Sequence, residues 1–145
     1  MTITISAARE ADLPAILALL ERSGLPPDGL AAHVGSALAA RSGDQLVGSA
    51  ALELYDSAAL LRSVAVDAPL RGRGLGQQFT RTALNLARQR GIARVYLLTD
   101  TAGGFFARLG FRATTRAEVD PAVQQSVEFT SACPASAQVF VADLS

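Results

Sequence analysis

One stretch constrains the fold of this chain more than any other. Ala58–Val66 is apolar at nearly every position, and it runs through Asp67-Ala68-Pro69-Leu70 into Arg71-Gly72-Arg73-Gly74-Leu75-Gly76. A helical pattern follows to Arg90, with Leu75, Phe79, Ala83, Leu86 and Ala87 on one face and Gly91 as a natural stop. A run as apolar as Ala58–Val66 suits a central strand covered on both faces. Strand, glycine loop and amphipathic helix in succession demand a sheet with helices laid on it, which is a mixed α/β architecture.

The flanking sequence supplies the other elements. Thr2–Ser6 alternates Thr-Ile-Thr-Ile and reads as a short strand. Leu13, Ile16, Leu17 and Leu20 recur at helical spacing, with Asp12 as N-cap, Pro14 in the first turn and Ser23-Gly24 as the stop before Pro26-Pro27. Residues 28–37, rich in alanine and glycine, read as a second helix. Strands are expected at 37–41 and 45–55 around the turn Ser42-Gly43-Asp44. Beyond Gly91 the pattern predicts a strand at 93–99, a short helix at 102–109 closed by Gly110, a strand at 111–115, a helical turn at 121–127 and a last strand at 137–142. No repeat or linker interrupts this order, so residues 1–145 are expected to form a single domain.

Composition narrows the class. The chain has 145 residues, of which 50% are hydrophobic and 18% charged, too apolar for a disordered chain. No apolar run approaches the roughly 18 residues of a membrane span, and no secretory signal is visible. The single cysteine, Cys133, rules out an intrachain disulfide. The expectation is a soluble, cytoplasmic protein with no membrane partner. All 13 basic residues are arginine and are balanced by 13 acids, which argues against a nucleic-acid partner. The balance conceals an asymmetry: residues 62–112 hold nine arginines and two acids, a net +7, and the remainder carries −7. A basic middle in a neutral chain suggests a local anionic ligand, the alternative being a solvated helix face.

The loop after Val66 has the chemistry to hold that anion. Glycine permits positive φ and close backbone approach. The first turn of the helix leaves N–H groups unpaired, and Arg71 and Arg73 add charge-assisted donors. The expected ligand is a phosphate or pyrophosphate; the alternative is a glycine-rich turn with solvated arginines. A lysine-bearing P-loop is excluded, because the chain has no lysine, and the dinucleotide pattern fails at Gln77, where it needs glycine.

Arg71-Gly72-Arg73-Gly74-Leu75-Gly76 after Val64-Ala65-Val66 resembles the acyl-CoA-binding motif of the GNAT superfamily of N-acetyltransferases. Gly103-Gly104-Phe105-Phe106-Ala107-Arg108-Leu109-Gly110-Phe111 resembles its second motif, and the element order matches over nearly the whole chain. Within the superfamily, Leu60–Val66, Tyr96–Thr99 and the segment from Glu128 to Ala137 resemble the small arsenic-resistance N-acetyltransferases. The resemblance implies an α/β (α+β) GNAT fold. Its central, mixed, mostly antiparallel twisted sheet is splayed between the fourth and fifth strands and flanked by helices. It also implies acetyl-CoA as co-substrate. Backbone groups at Val64, Ala65 and Val66 would meet the pantetheine arm, Arg71, Gly72, Arg73, Gly74, Leu75 and Gly76 the pyrophosphate, and Thr99, Phe106 and Arg108 further parts of CoA. An amine would attack the thioester directly. Such chemistry needs a neutral amine, a donor for the oxyanion and an acid for the leaving thiolate.

The acceptor side is less defined. Many GNAT enzymes place a proton-donating tyrosine where Phe106 stands, and phenylalanine cannot donate; Cys133, Ser131, water or no protein acid could serve instead. Cys133 is either a packed hydrophobe or a polar group in the acceptor pocket. Arg62 and Ser63 interrupt the apolar strand, and strict alternation puts them on opposite faces. Arg62 either pairs with a structural acid or clamps an anionic part of the acceptor. Glu53, sharing a strand face with Ser49, Ala51 and Tyr55, either faces solvent or attracts the acceptor ammonium. If both functional readings hold, Arg62 and Glu53 embrace an amino acid. His33 reads as a surface or packing residue, Thr99 and Thr101 as CoA contacts or helix caps, and Phe105, Phe106, Leu109 and Phe111 as core. No His/Cys/Asp cluster has metal spacing, so no metal is expected. The expected activity is transfer of acetyl to a primary amine of a small molecule, an amino acid or analogue; the oligomeric state is open, a homodimer being one option. The rivals are a polyamine or protein N-terminal acetyltransferase and a non-catalytic CoA-binding module.

Overall fold

The computed structural model describes residues 3–100, 102–132 and 136–144, except for the side chains of 131 and 132. Its regular elements are β1 (Ile3–Ala7), α1 (Leu13–Arg22), β2 (Ala37–Ser42), β3 (Gln45–Tyr55), β4 (Ala58–Val66), α2 (Leu75–Gln89), β5 (Arg94–Thr99), α3 (Gly103–Ala107), β6 (Arg112–Thr114) and β7 (Gln138–Asp143). The strands form one sheet in the order β1-β2-β3-β4-β5-β7-β6. Every pairing is antiparallel except β4 with β5, the two strands that α2 connects. The sheet is therefore mixed and mostly antiparallel, with helices on its faces.

The apolar patterning explains the layering. Ala50, Leu52 and Leu61 pack with Phe79, Ala83 and Ala87 of α2 on one face. Ala51 and Ala65 pack with Ile16, Leu19 and Leu20 of α1 on the other. Because β3 and β4 are covered on both sides, they cannot alternate apolar with polar, and they read as continuous runs. Gly48 lets α2 approach closely: a Cβ there would lie 2.6 Å from the Phe79 ring.

Several local expectations change. The expected second helix is a 3-10 run, Leu30–Ser36, entered through Gly29 at φ +77° and burying Leu30 and Val34. It is short because the chain must be extended again at Ala37 to pair with β3. Asp12 does not cap α1. Its carboxylate turns back to accept the Arg9 N–H at 2.8 Å and pairs with Arg41. The helix expected at 102–109 is α3, reduced to 103–107, and the chain turns out of it through Gly110 at φ +97°. Residues 128–132 form a wide helical turn that carries no apolar period of its own.

Strict alternation also fails in β4. Ala51 faces Arg62 and Ser49 faces Ala65, so β4 spends one residue more than β3 at this point. This β-bulge puts Ser63 at φ +59°, and the Ser49 hydroxyl secures it by donating to the Ser63 carbonyl at 2.8 Å. With the backbone turned, the adjacent side chains meet instead of parting: Arg62 Nε donates to Ser63 Oγ at 3.1 Å.

Candidate active site

β4 and β5 pair only from Ala58 opposite Arg94 to Leu60 opposite Tyr96, and then part. The gap opens into a cleft of about 940 Å³, walled by Ser63–Val66 on one side, Leu97–Thr99 and Phe106 on the other, with Arg62 and Glu128 also lining it. Asp67 N–H donates to Val47 O at 2.8 Å, and Ala65 lies opposite Ser49. By the alternation of an antiparallel ladder, Ala65 and Asp67 turn their peptide groups to β3, and Val64 and Val66 turn theirs to the cleft. An unpaired strand edge of this kind can accept an extended ligand as an added strand.

The loop at the mouth of the cleft presents open backbone donors and arginines. Gly72 and Gly74 adopt φ +83° and +78°, and an added Cβ would meet nothing at either position, so the backbone angle is what requires glycine there. Gly74 is the N-cap of α2, with no capping side chain and no acid in the first turn. The leading N–H groups of α2 are therefore open to a ligand. Arg71 Nε donates to the Val66 carbonyl at 2.9 Å, tying the loop to the end of β4, and Arg73 is exposed beside it.

The inner end of the cleft holds a buried ionic group. Arg62 is 3% exposed, and its guanidinium donates to Glu53 Oε2 at 2.8 Å, Asp28 O at 2.6 Å and Pro26 O at 3.1 Å as well as to Ser63. Glu128 Oε2 lies 3.4 Å from Nε, and Glu128 is 4% exposed. Glu53 is 1% exposed, buried rather than facing solvent, and accepts the Tyr55 hydroxyl at 2.5 Å. Burial raises the Glu53 carboxyl pKa, but hydrogen bonds from Ser126, Tyr55 and Arg62 outweigh it and hold the group below its usual range. Burial, and then the bond to Glu53, push the Tyr55 phenol up to about 12. His33 Nε2 stands 3.9 Å from Glu53 Oε1. Ser126 Oγ accepts the Glu128 N–H at 3.2 Å and so fixes the start of the turn that carries Glu128.

The structure thus brings Arg62 and Glu53 together as a pair. Arg62 lines the cleft, and Glu53 stands behind it, away from the lining. Phe106 is buried edge-on between Phe105 and Phe111, with ring centroids at 5.0 and 5.7 Å, and it lines the cleft. Thr99 Oγ1 accepts the Ala102 N–H at 3.0 Å ahead of α3. Arg108 is exposed at the end of α3. Cys133, Thr101 and the Ser131 side chain lie outside the described residues. Glu128 and Tyr55 are the site residues that sequence reasoning did not single out. For Tyr55 the signal was its place two residues from Glu53 on one strand face. For Glu128 it was an acid set between Val127 and Phe129.

A glycine loop at the start of a helix, a strand edge unpaired among the described residues and a polar floor all meet in one cleft. Residues 8–111 match the acetyltransferase (GNAT) family. The chain belongs to this family. No curated protein matches the sequence. Among solved structures, the fold is similar to N-acetylglutamate synthase from Neisseria gonorrhoeae complexed with coenzyme A and N-acetyl-glutamate, at TM-score 0.84 and 23% identity. That match covers 100% of this chain and 36% of the synthase, so the chain spans about a third of its length. It is also similar to Rv2747 from Mycobacterium tuberculosis in complex with CoA and NLQ, at TM-score 0.81 and 25% identity over 98% of this chain and 99% of that one. The ribosomal-protein-S18-alanine N-acetyltransferase from Escherichia coli gives TM-score 0.77 and 19% identity over 99% and 95% of the two chains. At this level of identity the likeness is one of fold.

Proposed function

We propose that this GNAT protein moves acetyl from acetyl-CoA to the primary amine of a small molecule, an amino acid or amino-acid-like compound. The observation that carries the reading is a cleft with a glycine- and arginine-rich loop and an uncapped helix start at its mouth, and a buried ionic group at its inner end. In this reading the backbone of Val64 and Val66 pairs with the pantetheine arm, and the N–H groups from Arg71 to Gly76 hold the pyrophosphate, with Arg71 and Arg73 adding charge. The thioester lies where β4 and β5 part, with Phe106 beside it. A neutral amine attacks the carbonyl carbon, and backbone donors at the strand edge stabilise the developing oxyanion. Phe106 cannot donate a proton, so in this reading the leaving thiolate takes one from Cys133, Ser131, water or the acceptor nitrogen. Arg62, with Glu53 behind it, forms the floor on the acceptor side. The narrower sequence resemblance adds arsenic-containing amino acids to the acceptors to be tried.

Acetyl-CoA-dependent thiol release, read with dithionitrobenzoate, tests this across amino acids, their arsenic and phosphorus analogues, polyamines and short peptides. Release with one amino-acid class is the expected result. Calorimetric binding of acetyl-CoA without release from any amine would favour a CoA-binding module instead. Absence of binding would overturn the assignment of the Arg71–Gly76 loop.

A further inference from the structure

The chain between α1 and the 3-10 run at 30–36 forms one wall of the cleft's inner end. Its sequence is Gly24-Leu25-Pro26-Pro27-Asp28-Gly29, and Gly24, Leu25, Pro26 and Asp28 line the cleft. A glycine in the left-handed region stands at each end, Gly24 at φ +69° and Gly29 at φ +77°. Pro26 and Pro27 have no N–H, so this stretch offers a partner mainly its carbonyls. Arg62 takes two of them: Nη1 donates to Asp28 O at 2.6 Å and Nη2 to Pro26 O at 3.1 Å. The same guanidinium is anchored to the sheet, with Nη1 also donating to Glu53 Oε2 at 2.8 Å and Nε to Ser63 Oγ at 3.1 Å. Each terminal nitrogen thus holds one carbonyl of the wall, which a planar fork can do and a point charge cannot. Gly29 completes the seat: a Cβ there would lie 2.9 Å from Val127 Cγ1 and 3.7 Å from Arg62 Nη1. The Arg62 side chain is 0% exposed, so it offers an acceptor no surface to touch.

We infer that Arg62 is a positioning residue for the acceptor: it fixes the width of the cleft's inner end by tying Pro26 and Asp28 to β3 and β4, and it selects the acceptor through that wall rather than by contact. This rests on the acyltransferase reading above. Pro26 and Pro27 restrict the segment's own φ angles, so the wall shifts as a unit about Gly24 and Gly29 when the arginine lets go. A shifted wall misplaces the amine against the thioester, while the strand edge and the glycine loop on the CoA side keep their shape.

Arg62→Lys tests the inference, because it keeps a positive charge beside Glu53 and leaves one nitrogen where two held the wall. Thiol release is compared between the amino acid that reacts fastest and its carboxamide, which lacks the carboxylate. The expected result is a loss in kcat/KM of about 100-fold, equal for acid and amide, with acetyl-CoA Kd unchanged. The amides of Leu25 and Leu30, which donate to Leu20 O and Pro27 O, should exchange faster, while that of Ile92 beyond α2 keeps its rate. Gly29→Ala, which pushes the wall from Val127 with every charge in place, should give the same kinetic pattern. A loss confined to the carboxylate-bearing acceptor would overturn the inference by making Arg62 a ligand. An equal weakening of acetyl-CoA binding would overturn it by making Arg62 a prop for the whole sheet, and unchanged acceptor kinetics in both variants would leave the wall without a role. Absence of thiol release by the unmodified protein with every amine would instead remove the acyltransferase reading, and the inference with it, whatever the exchange rates.

Discussion

Arg62 occupies a position where a lone charge could not be tolerated: a central strand covered on both faces. It is retained because Glu53, Glu128 and two carbonyls surround it. Removing it takes the arginine charge away from two buried carboxylates, so Arg62→Met is expected to lower the unfolding free energy by about 3–5 kcal/mol in urea denaturation. The Arg62→Met/Glu53→Gln double variant should recover part of the loss, since the two sites share one contact. Glu53 also sets a pH dependence. Its folded pKa is below the ordinary glutamate value of 4.5, so its contribution is complete above that value and is lost as pH falls through the folded pKa. The urea midpoint should fall on acidification, and less steeply in Glu53→Gln. Arg62 was visible in the sequence as an anomaly, but its partners were not. One lies on the neighbouring strand, the other in a turn far along the chain, and no local pattern links them.

At the scale of elements, the unit from β4 to α2 carries the site and was the most legible part of the sequence. Gly72 and Gly74 need positive φ, whereas Gly76 does not, and a Cβ there would make an ordinary 3.5 Å contact with Phe105. Gly72→Ala and Gly74→Ala should each cost roughly 1–2 kcal/mol, the penalty of a left-handed backbone for a side-chain-bearing residue. Gly76→Ala, inside the first turn of α2, should leave the thermal midpoint unchanged or slightly raised. Thermal unfolding of the three variants separates the cases. Elsewhere the elements were less legible. The run at 30–36 is confined between Gly29 in the left-handed region and the extended Ala37 that opens β2, and the turn at 128–132 has no apolar period.

For the whole molecule, the decisive feature is that β4 and β5 pair over three residues and then diverge. β5 finds a full partner in β7 instead, and the edge of β4 beyond the bulge is left to the cleft. The amides of Val64 and Val66 should therefore exchange with solvent faster than that of Ala65, which faces β3. Saturating acetyl-CoA should slow Val64 and Val66 selectively. Hydrogen exchange read residue by residue checks this, and uniform protection of all three without ligand would contradict the open strand edge.

Local periodicity and local backbone need were enough to specify the buried strand Ala58–Val66, the glycines that turn out of it, the apolar face of α2 and the stop at Gly91. These are legible because period, glycine placement and capping act within a few residues. Assembly of the sheet was needed for a bulge to turn Ser63 toward Arg62, for Glu53 to pair with that arginine, and for Glu128 to reach the floor of the cleft. Those outcomes depend on strand register and on contacts between segments distant in the chain. There a charge keeps its place only if folding brings it a partner.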